Sequence, residues 1–268
     1  MSLPSTSDGC LRTVAPMGFD VAADAYDSFM GRYSVGLAPQ MADLAGVRGG
    51  RRVLDVGCGP GSLTSELVSR LGPAGVAAVD PSESFVAAAS ARNPGVTVLQ
   101  ASAERLPFPD AAFDAALAQL VVHFMTDPVA GLQEMARVTR PDGVVAACVW
   151  NHAGGDGPLS VFWAAARELD PEVHDESRLA GAREGHLAEL FASAGLRQIQ
   201  QTTLSTTLEH PSFEEWWEPF TRGVGPAGTY VAGLEPASQA QLRETCRRRL
   251  PDGPFVITAR AWAARGLA

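Results

Sequence analysis

The stretch RRVLDVGCGPGSLTSELV, residues 51–68, runs an apolar strand into an aspartate, then a glycine-dense turn, then a helical pattern. Glycines between a first strand and a first helix let a ligand approach the backbone at the helix N-terminus. The spacing here is GxGxG, at Gly57, Gly59 and Gly61, and Ser62 stands where a dinucleotide loop would carry its third glycine. On either side the chain alternates. Apolar runs at 53–56, 76–79, 96–99, 113–118 and 144–150 read as strands buried on both faces. Between them Leu63, Leu67, Val68 and Leu71 share one helical face, and Val129, Leu132, Met135 and Ala136 share another. Asp127 caps that second helix, Pro128 suits its first turn, and RPDG at 140–143 stops it. Strands alternating with helices predict an α/β fold with a doubly wound, mostly parallel sheet whose ligand sits at the strands' carboxyl ends.

Outward from this core, residues 1–18 are polar and small and read as flexible. Residues 19–50 form a helical N-terminal cap, with apolar helical spacing from Phe19 to Leu44 interrupted by GRYSVG at 31–36. Residues 51–150 are the ligand-binding core, and 151–268 supply an inserted lid and complete the sheet. Within that last part the pattern predicts a helix at 183–194, a strand at 197–208, a Trp-rich segment at 211–221, a helix at 236–250 and a final strand at 255–263. With no repeat, low-complexity block or linker, 1–268 is expected to be one domain.

Composition narrows the chemistry. The net charge of −9 disfavours nucleic acid and acidic membranes and leaves a small-molecule partner. All 21 basic residues are arginine, which removes Schiff-base catalysis and the lysine-dependent phosphate loop. Cys10, Cys58, Cys148 and Cys246 form no CxxC pair, so neither zinc nor thiol-redox chemistry is expected. No segment has signal-peptide or bilayer-spanning character, which predicts a cytoplasmic protein; the oligomeric state stays open.

Asp55 chooses among ligands. A carboxylate roughly 6 Å from the cradled ligand, at an effective dielectric of about 20, disfavours a diphosphate by on the order of 2–3 kcal/mol and favours a cation by as much. S-adenosylmethionine, a sulfonium with an α-ammonium group, is such a cation. Asp80, about twenty residues past the loop, is placed to accept both ribose hydroxyls, which indicates adenosine without choosing between this ligand and NAD.

VLDVGCGPG, VAAVDPS, ASAERLPFPDAAFDAALAQLVVHF and DPVAGLQEMARVTRPDGVVAACVW, in that order over 51–150, resemble the successive motifs of class I S-adenosylmethionine-dependent methyltransferases of the small-molecule type. YDSFMGRYS at 26–34 resembles the cap segment of some bacterial members. The resemblance implies a seven-stranded Rossmann-like sheet with an antiparallel last strand, and it implies roles. Asp55 would lie near the methionine ammonium, Gly57, Gly59 and Gly61 would admit the cofactor, and Asp80 would hold the ribose. Ser102, Ala103 and Glu104 stand where the family contacts adenine, although the usual acid before the alanine is a serine here. Gln119 matches a position whose backbone contacts the methionine part. Tyr26 and Tyr33 would approach the cofactor or acceptor from the cap, Tyr26 covering the methionine moiety and Arg32 meeting its carboxylate; the alternative is that these residues only dock the cap onto the sheet.

For the methyl acceptor, QLVVHF at the fourth strand's exit replaces the Asn/Asp-Pro-Pro-aromatic turn of base and amide methylating enzymes. That disfavours DNA and polypeptide amide targets. Transfer to an oxygen or nitrogen of a small metabolite or natural product is expected, with the methylated atom left open by the sequence. Methyl transfer from a sulfonium is an in-line displacement, so positioning supplies much of the catalysis and a base helps a hydroxyl acceptor. His123 and His152, just past the fourth and fifth strands, are the first and second candidate bases. Phe213, Trp216, Trp217 and Phe220 form either a pocket wall or core, and CRRRL at 246–250 reads as a solvated helix face. His174, His186 and His210 form no constellation and read as surface residues. Two alternatives stand beside transfer: an NAD(P)-dependent oxidoreductase, and a cofactor-binding protein without turnover.

Overall fold

The computed structural model describes residues 23–268; the segment read as flexible and the start of the cap lie outside the described residues. Val53–Val56 (β1), Val76–Asp80 (β2), Thr97–Gln100 (β3), Phe113–Gln119 (β4), Thr139–Trp150 (β5), Arg197–His210 (β6) and Phe255–Leu267 (β7) form one sheet. Its order is β3-β2-β1-β4-β5-β7-β6. The pairs β3-β2, β2-β1, β1-β4 and β4-β5 are parallel, and β7 runs antiparallel to both β5 and β6. The strand order reverses beside β1, which opens a crevice at the carboxyl ends of β1, β2 and β4.

Helices cover the sheet in the expected places. Ser62–Leu71 follows β1, Glu83–Arg92 follows β2 and Pro128–Val138 follows β4. The last begins as read: Asp127 accepts the Ala130 amide at 3.0 Å, and Pro128 takes the first turn. Every residue of β1 and β2 is buried, which explains their unbroken Val and Ala runs. The alternation fails once. Residues 101–112, between β3 and β4, contain no helix.

The cap corrects one expectation. GRYSVG does not interrupt it; helix Ala23–Tyr26 (α1) passes through a π-helical turn at Asp27–Gly31 directly into Arg32–Leu44 (α2). Its glycines serve close packing instead of breaking the helix. A side chain at Gly36 would run into Thr206 Oγ1 of β6, and one at Gly31 would meet Asp27 Oδ1 at 2.6 Å. The π turn places Tyr26, Phe29 and Met30 together over the crevice.

The lid follows from strand direction. β6 and β7 pair up to His210 against Phe255, as one long hairpin whose tip lies at the same edge as the carboxyl ends of the parallel strands. Residues 211–254 are inserted at that tip and therefore fall over the crevice. They carry Phe213–Trp217, Gly225–Ala232 and Pro236–Arg247, and meet Ser160–Leu169, inserted after β5. Phe213, Trp216, Trp217 and Phe220 are the core of this layer, with Phe220 stacked on Phe162 at 4.6 Å. At about 1.5–3 kcal/mol for each large apolar side chain buried, that cluster anchors the lid. The CRRRL segment is an ion-paired face: Arg247 meets Glu214, and Arg249 meets Glu168 at 2.5 Å.

Candidate active site

Two spaces meet at the sheet's functional edge. A cleft is lined by Gly57 and Gly59 of the loop, Asp80 and Pro81 after β2, Phe85, and the β4 exit from Gln119 to Val121. A narrower, largely apolar chamber adjoins it, lined by Phe29 and Met30 of the cap, Trp150, Leu159, His123, His152, Glu176 and the turn Val224–Ala227. Tyr26, Leu120 and Phe124 belong to both. Leu120 holds this shared wall at φ +63°, a left-handed conformation that costs a leucine about 1–2 kcal/mol.

The glycine loop is shaped by its neighbours. At Gly57, with φ +69°, an added Cβ would sit 2.5 Å from both methyls of Val121; at Gly61, with φ +97°, it would meet Asn93 Nδ2 at 2.7 Å. Only Gly59 faces open space. The loop amides are already spent: Gly57 and Cys58 donate to Val79 O at 2.8 and 2.9 Å, Gly61 to Cys58 O at 3.0 Å, and Gly59 to Asp80 Oδ2 at 2.9 Å. Pro60 has no amide hydrogen to give. Residues 57–61 therefore offer no free N–H to a pyrophosphate, and no arginine lines the cleft.

Asp80 stands where the sequence puts it. Its carboxylate also accepts the Ser82 amide at 2.9 Å, and burial raises its pKa. Both oxygens keep acceptor capacity toward the cleft, which fits a ribose diol. Asp55 differs from expectation. It is 1% exposed, accepts the Thr64 hydroxyl at 2.6 Å and does not line the cleft. Burial pushes its pKa up to about 7, with Asp80 adding to the rise and Thr64 opposing it. Asp80 at its wall and Asp55 behind the loop make the cleft acidic, with no arginine among the described lining residues to balance them.

Three expected adenine contacts are elsewhere. Ser102 is exposed, Ala103 packs in the core, and Glu104 Oε1 accepts the Thr126 and Asp127 amides at 2.8 and 3.3 Å, tying down the start of the following helix. Pro81 and Phe85 line that end of the cleft instead, and Tyr26 packs on Phe85 with ring centroids 5.3 Å apart. Gln119 lines the cleft and donates from Nε2 to Ser34 O of the cap at 3.0 Å.

Of the cap residues only Tyr26 reaches the cleft, its phenol pushed up to about 12 by burial. Arg32 is engaged by Glu215 and by Glu209 O, and the Tyr33 hydroxyl meets His210 Nε2 at 2.9 Å. His210 Nδ1 in turn lies 2.8 Å from Glu215 Oε2, so His210 is buried and not a surface residue. These four side chains clamp the cap to the lid.

His123 and His152 do come together, their rings 6.0 Å apart on the chamber wall. His123 Nδ1 and His152 Nε2 are buried without a hydrogen-bond partner among the described residues. Burial lowers both pKa values, that of His123 well below the ordinary range, while Glu176 partly offsets the effect on His152. Both rings are therefore neutral at pH 7, the form that accepts a proton. Glu176 was not legible in the sequence: it lies in a lid turn with no motif, its Oε2 accepting from Trp163 Nε1 at 2.8 Å.

Residues 54–147 match the family described as Methyltransferase domain. A malonyl-[acyl-carrier protein] O-methyltransferase of Pseudescherichia vulneris is 33% identical over 192 residues, 70% of this chain and 71% of that protein. The chain belongs to the class I S-adenosylmethionine-dependent methyltransferases. This methyltransferase is also 37% identical over 108 residues to a ubiquinone/menaquinone biosynthesis C-methyltransferase of Pasteurella multocida, 38% of this chain and 40% of that one. It spans about half the length, 55%, of the first curated relatives it matches. The solved structure of YcgJ from Bacillus subtilis shares the fold, with a TM-score of 0.54 and 21% identity over 87% of this methyltransferase and 97% of that chain. The family's cofactor is S-adenosylmethionine, and the spent loop amides, the acidic wall and the missing arginine fit it where they would not fit a dinucleotide. No helix among the described residues is long and apolar enough to cross a membrane.

Proposed function

We propose that this chain transfers a methyl group from S-adenosylmethionine to an oxygen or nitrogen of a small, largely apolar acceptor seated in the chamber, with His123 as general base and His152 as its second. The observation that carries this reading is the shared wall of Tyr26, Leu120 and Phe124, which makes the cofactor cleft and the two-imidazole chamber neighbours. Bound in the cleft, the cofactor supplies an electrophilic methyl on sulfur. The chain's residues do the rest. Asp80 would hold the ribose diol; Asp55, behind the loop, favours the cation as it ionises around pH 7. Tyr26 and Phe124 narrow the passage, which orients the acceptor, and the apolar lining excludes water. A neutral His123 then takes the proton an O–H acceptor must lose, and His152 serves as the second base for an N–H acceptor, a step worth typically 10²- to 10⁴-fold in rate. The net charge of −9 favours such a small acceptor over nucleic acid.

The test is calorimetric titration with S-adenosylmethionine and S-adenosylhomocysteine, followed by an acceptor screen with methyl-labelled cofactor. Binding with labelled product supports transfer, and the labelled atom shows whether oxygen, nitrogen or carbon is methylated. Tight binding with no product on any acceptor would favour the non-catalytic alternative.

A further inference from the structure

The chamber's polar groups are few and of one kind. Among the described residues its lining includes one carboxylate, that of Glu176, with two neutral imidazoles and no arginine. Glu176 Oε2 is committed to the Trp163 indole, whereas Oε1 lies 3.9 Å from His152 Nε2. That separation is too long for a hydrogen bond between them. It suits a third atom about 2.8 Å from each, donating one hydrogen to the carboxylate oxygen and one to the imidazole nitrogen. His152 Nε2 is buried and unpartnered among the described residues, so with the ring proton on Nδ1 such a donor would also satisfy this nitrogen.

We infer that the acceptor is an apolar amine, bound as an ammonium whose hydrogens bridge Glu176 Oε1 and His152 Nε2. This deepens the reading of the chamber as the acceptor site and rests on it. With the ring proton on Nδ1, a hydroxyl has one hydrogen and leaves one of the two acceptors unmet. A carboxylate acceptor, such as the relative's name implies for that protein, would face Glu176 with no cation to offset the repulsion. Tyr26, Phe29, Phe124 and Trp150 also line the space, and aromatic rings favour a cation.

The proton inventory closes. One ammonium N–H bond breaks and its proton passes to His152 Nε2, where the imidazolium faces the Glu176 carboxylate. The freed nitrogen lone pair forms the new N–C bond while the S–C bond breaks and its electron pair stays on sulfur. Glu176 is thus both the recognition group and the counter-ion of the base.

The experiment uses the full chain saturated with S-adenosylhomocysteine and three matched probes, benzylamine, benzyl alcohol and benzoate, with affinities from ligand-observed NMR. Benzylamine is expected to bind at least about 10-fold more tightly than benzyl alcohol, as a charge-assisted hydrogen bond implies, with benzoate weakest. Glu176→Gln keeps an acceptor for Trp163 and should remove the amine's advantage. Equal or tighter binding of the alcohol or benzoate, binding of none of the three, or an amine preference that survives in Glu176→Gln would overturn the proposal. The wild-type ranking decides even if the variant does not fold. Saturation by S-adenosylhomocysteine on the same samples reports separately on the underlying reading, which fails if that binding is absent.

Discussion

The cleft under Asp80 and the chamber behind Tyr26 share a wall, yet they are assembled in opposite ways. The cleft is made by short, contiguous turns at the ends of adjacent parallel strands, where backbone geometry dictates residue type. The chamber draws one to four residues from each of several separate segments: the π turn of the cap, the turn after β4, the loop after β5, the Glu176 turn and the lid segment at 224–227. Cofactor chemistry is therefore held by the sheet, and acceptor chemistry by elements free to vary around it.

The sharpest way to break this comparison is to damage the cleft through backbone alone. Gly57→Ala drives a Cβ into both Val121 methyls at a left-handed φ, with no flexible tip to yield. S-adenosylhomocysteine binding by calorimetry is expected to fall more than about 100-fold, with a loss of about 2–4 kcal/mol in denaturant unfolding. Gly59→Ala, facing open space, should lose only the roughly 1–2 kcal/mol of its own left-handed backbone. If the two behave alike, the loop is not shaped by Val121.

On the chamber side, His123→Ala should lower kcat about 10²- to 10⁴-fold on a hydroxyl acceptor, and His152→Ala on an amine, while leaving S-adenosylhomocysteine affinity within about twofold. An unchanged kcat would remove His123 as the base. Because both histidines are neutral when folded and protonate near pH 6.5 when unfolded, their contribution to stability is present above that pH and is lost as pH falls below it.

Between the two regions sits Asp55, and it sharpens the comparison by pH. Its folded pKa of about 7 lies above the ordinary 3.8, so it costs stability progressively as pH rises from about 4 through 7. Asp55→Asn should therefore raise apo-protein stability by on the order of 2–4 kcal/mol at pH 8 and much less at pH 5, by thermal unfolding. Affinity for S-adenosylmethionine should rise with pH between about 6 and 8 in the wild type, as Asp55 ionises, and respond less in the variant. A pH-independent difference in stability would mean that Asp55 is ionised throughout.

The same contrast explains what could be read beforehand. Strands β1, β2 and β4, the Asp127 cap and Asp80 were legible because local rules fix them: runs buried on both faces, a side-chain acceptor at a helix start, an acid at a strand end. Asp55 was legible as a residue but not as a position. That it turns to Thr64 instead of the ligand depends on a contact nine residues on, whose direction no spacing encodes. GRYSVG misled because glycine has two uses. At Gly36 it admits β6, a strand from the far end of the chain, and that need is invisible locally. Leu120 at positive φ and Glu176 in its turn carried no signal at all, since each is held by tertiary neighbours.

The smallest effect belongs to the clamp, where sequence resemblance and structure disagree most directly. Resemblance gave Arg32 and Tyr33 to the cofactor; the structure gives Tyr33 to His210 and Arg32 to Glu215. Tyr33→Phe keeps the ring against Trp150, 6.2 Å between centroids, and removes only the hydroxyl. Losing one buried hydrogen bond should cost about 1 kcal/mol in urea unfolding, while cofactor affinity stays unchanged. Arg32→Ala should cost a similar amount or less, because its ion pair is partly exposed and screened by water. Should either variant weaken S-adenosylhomocysteine binding by more than about threefold with stability intact, the clamp would reach the cofactor after all. The cleft and the chamber would then be coupled through the cap and not merely adjacent across a shared wall.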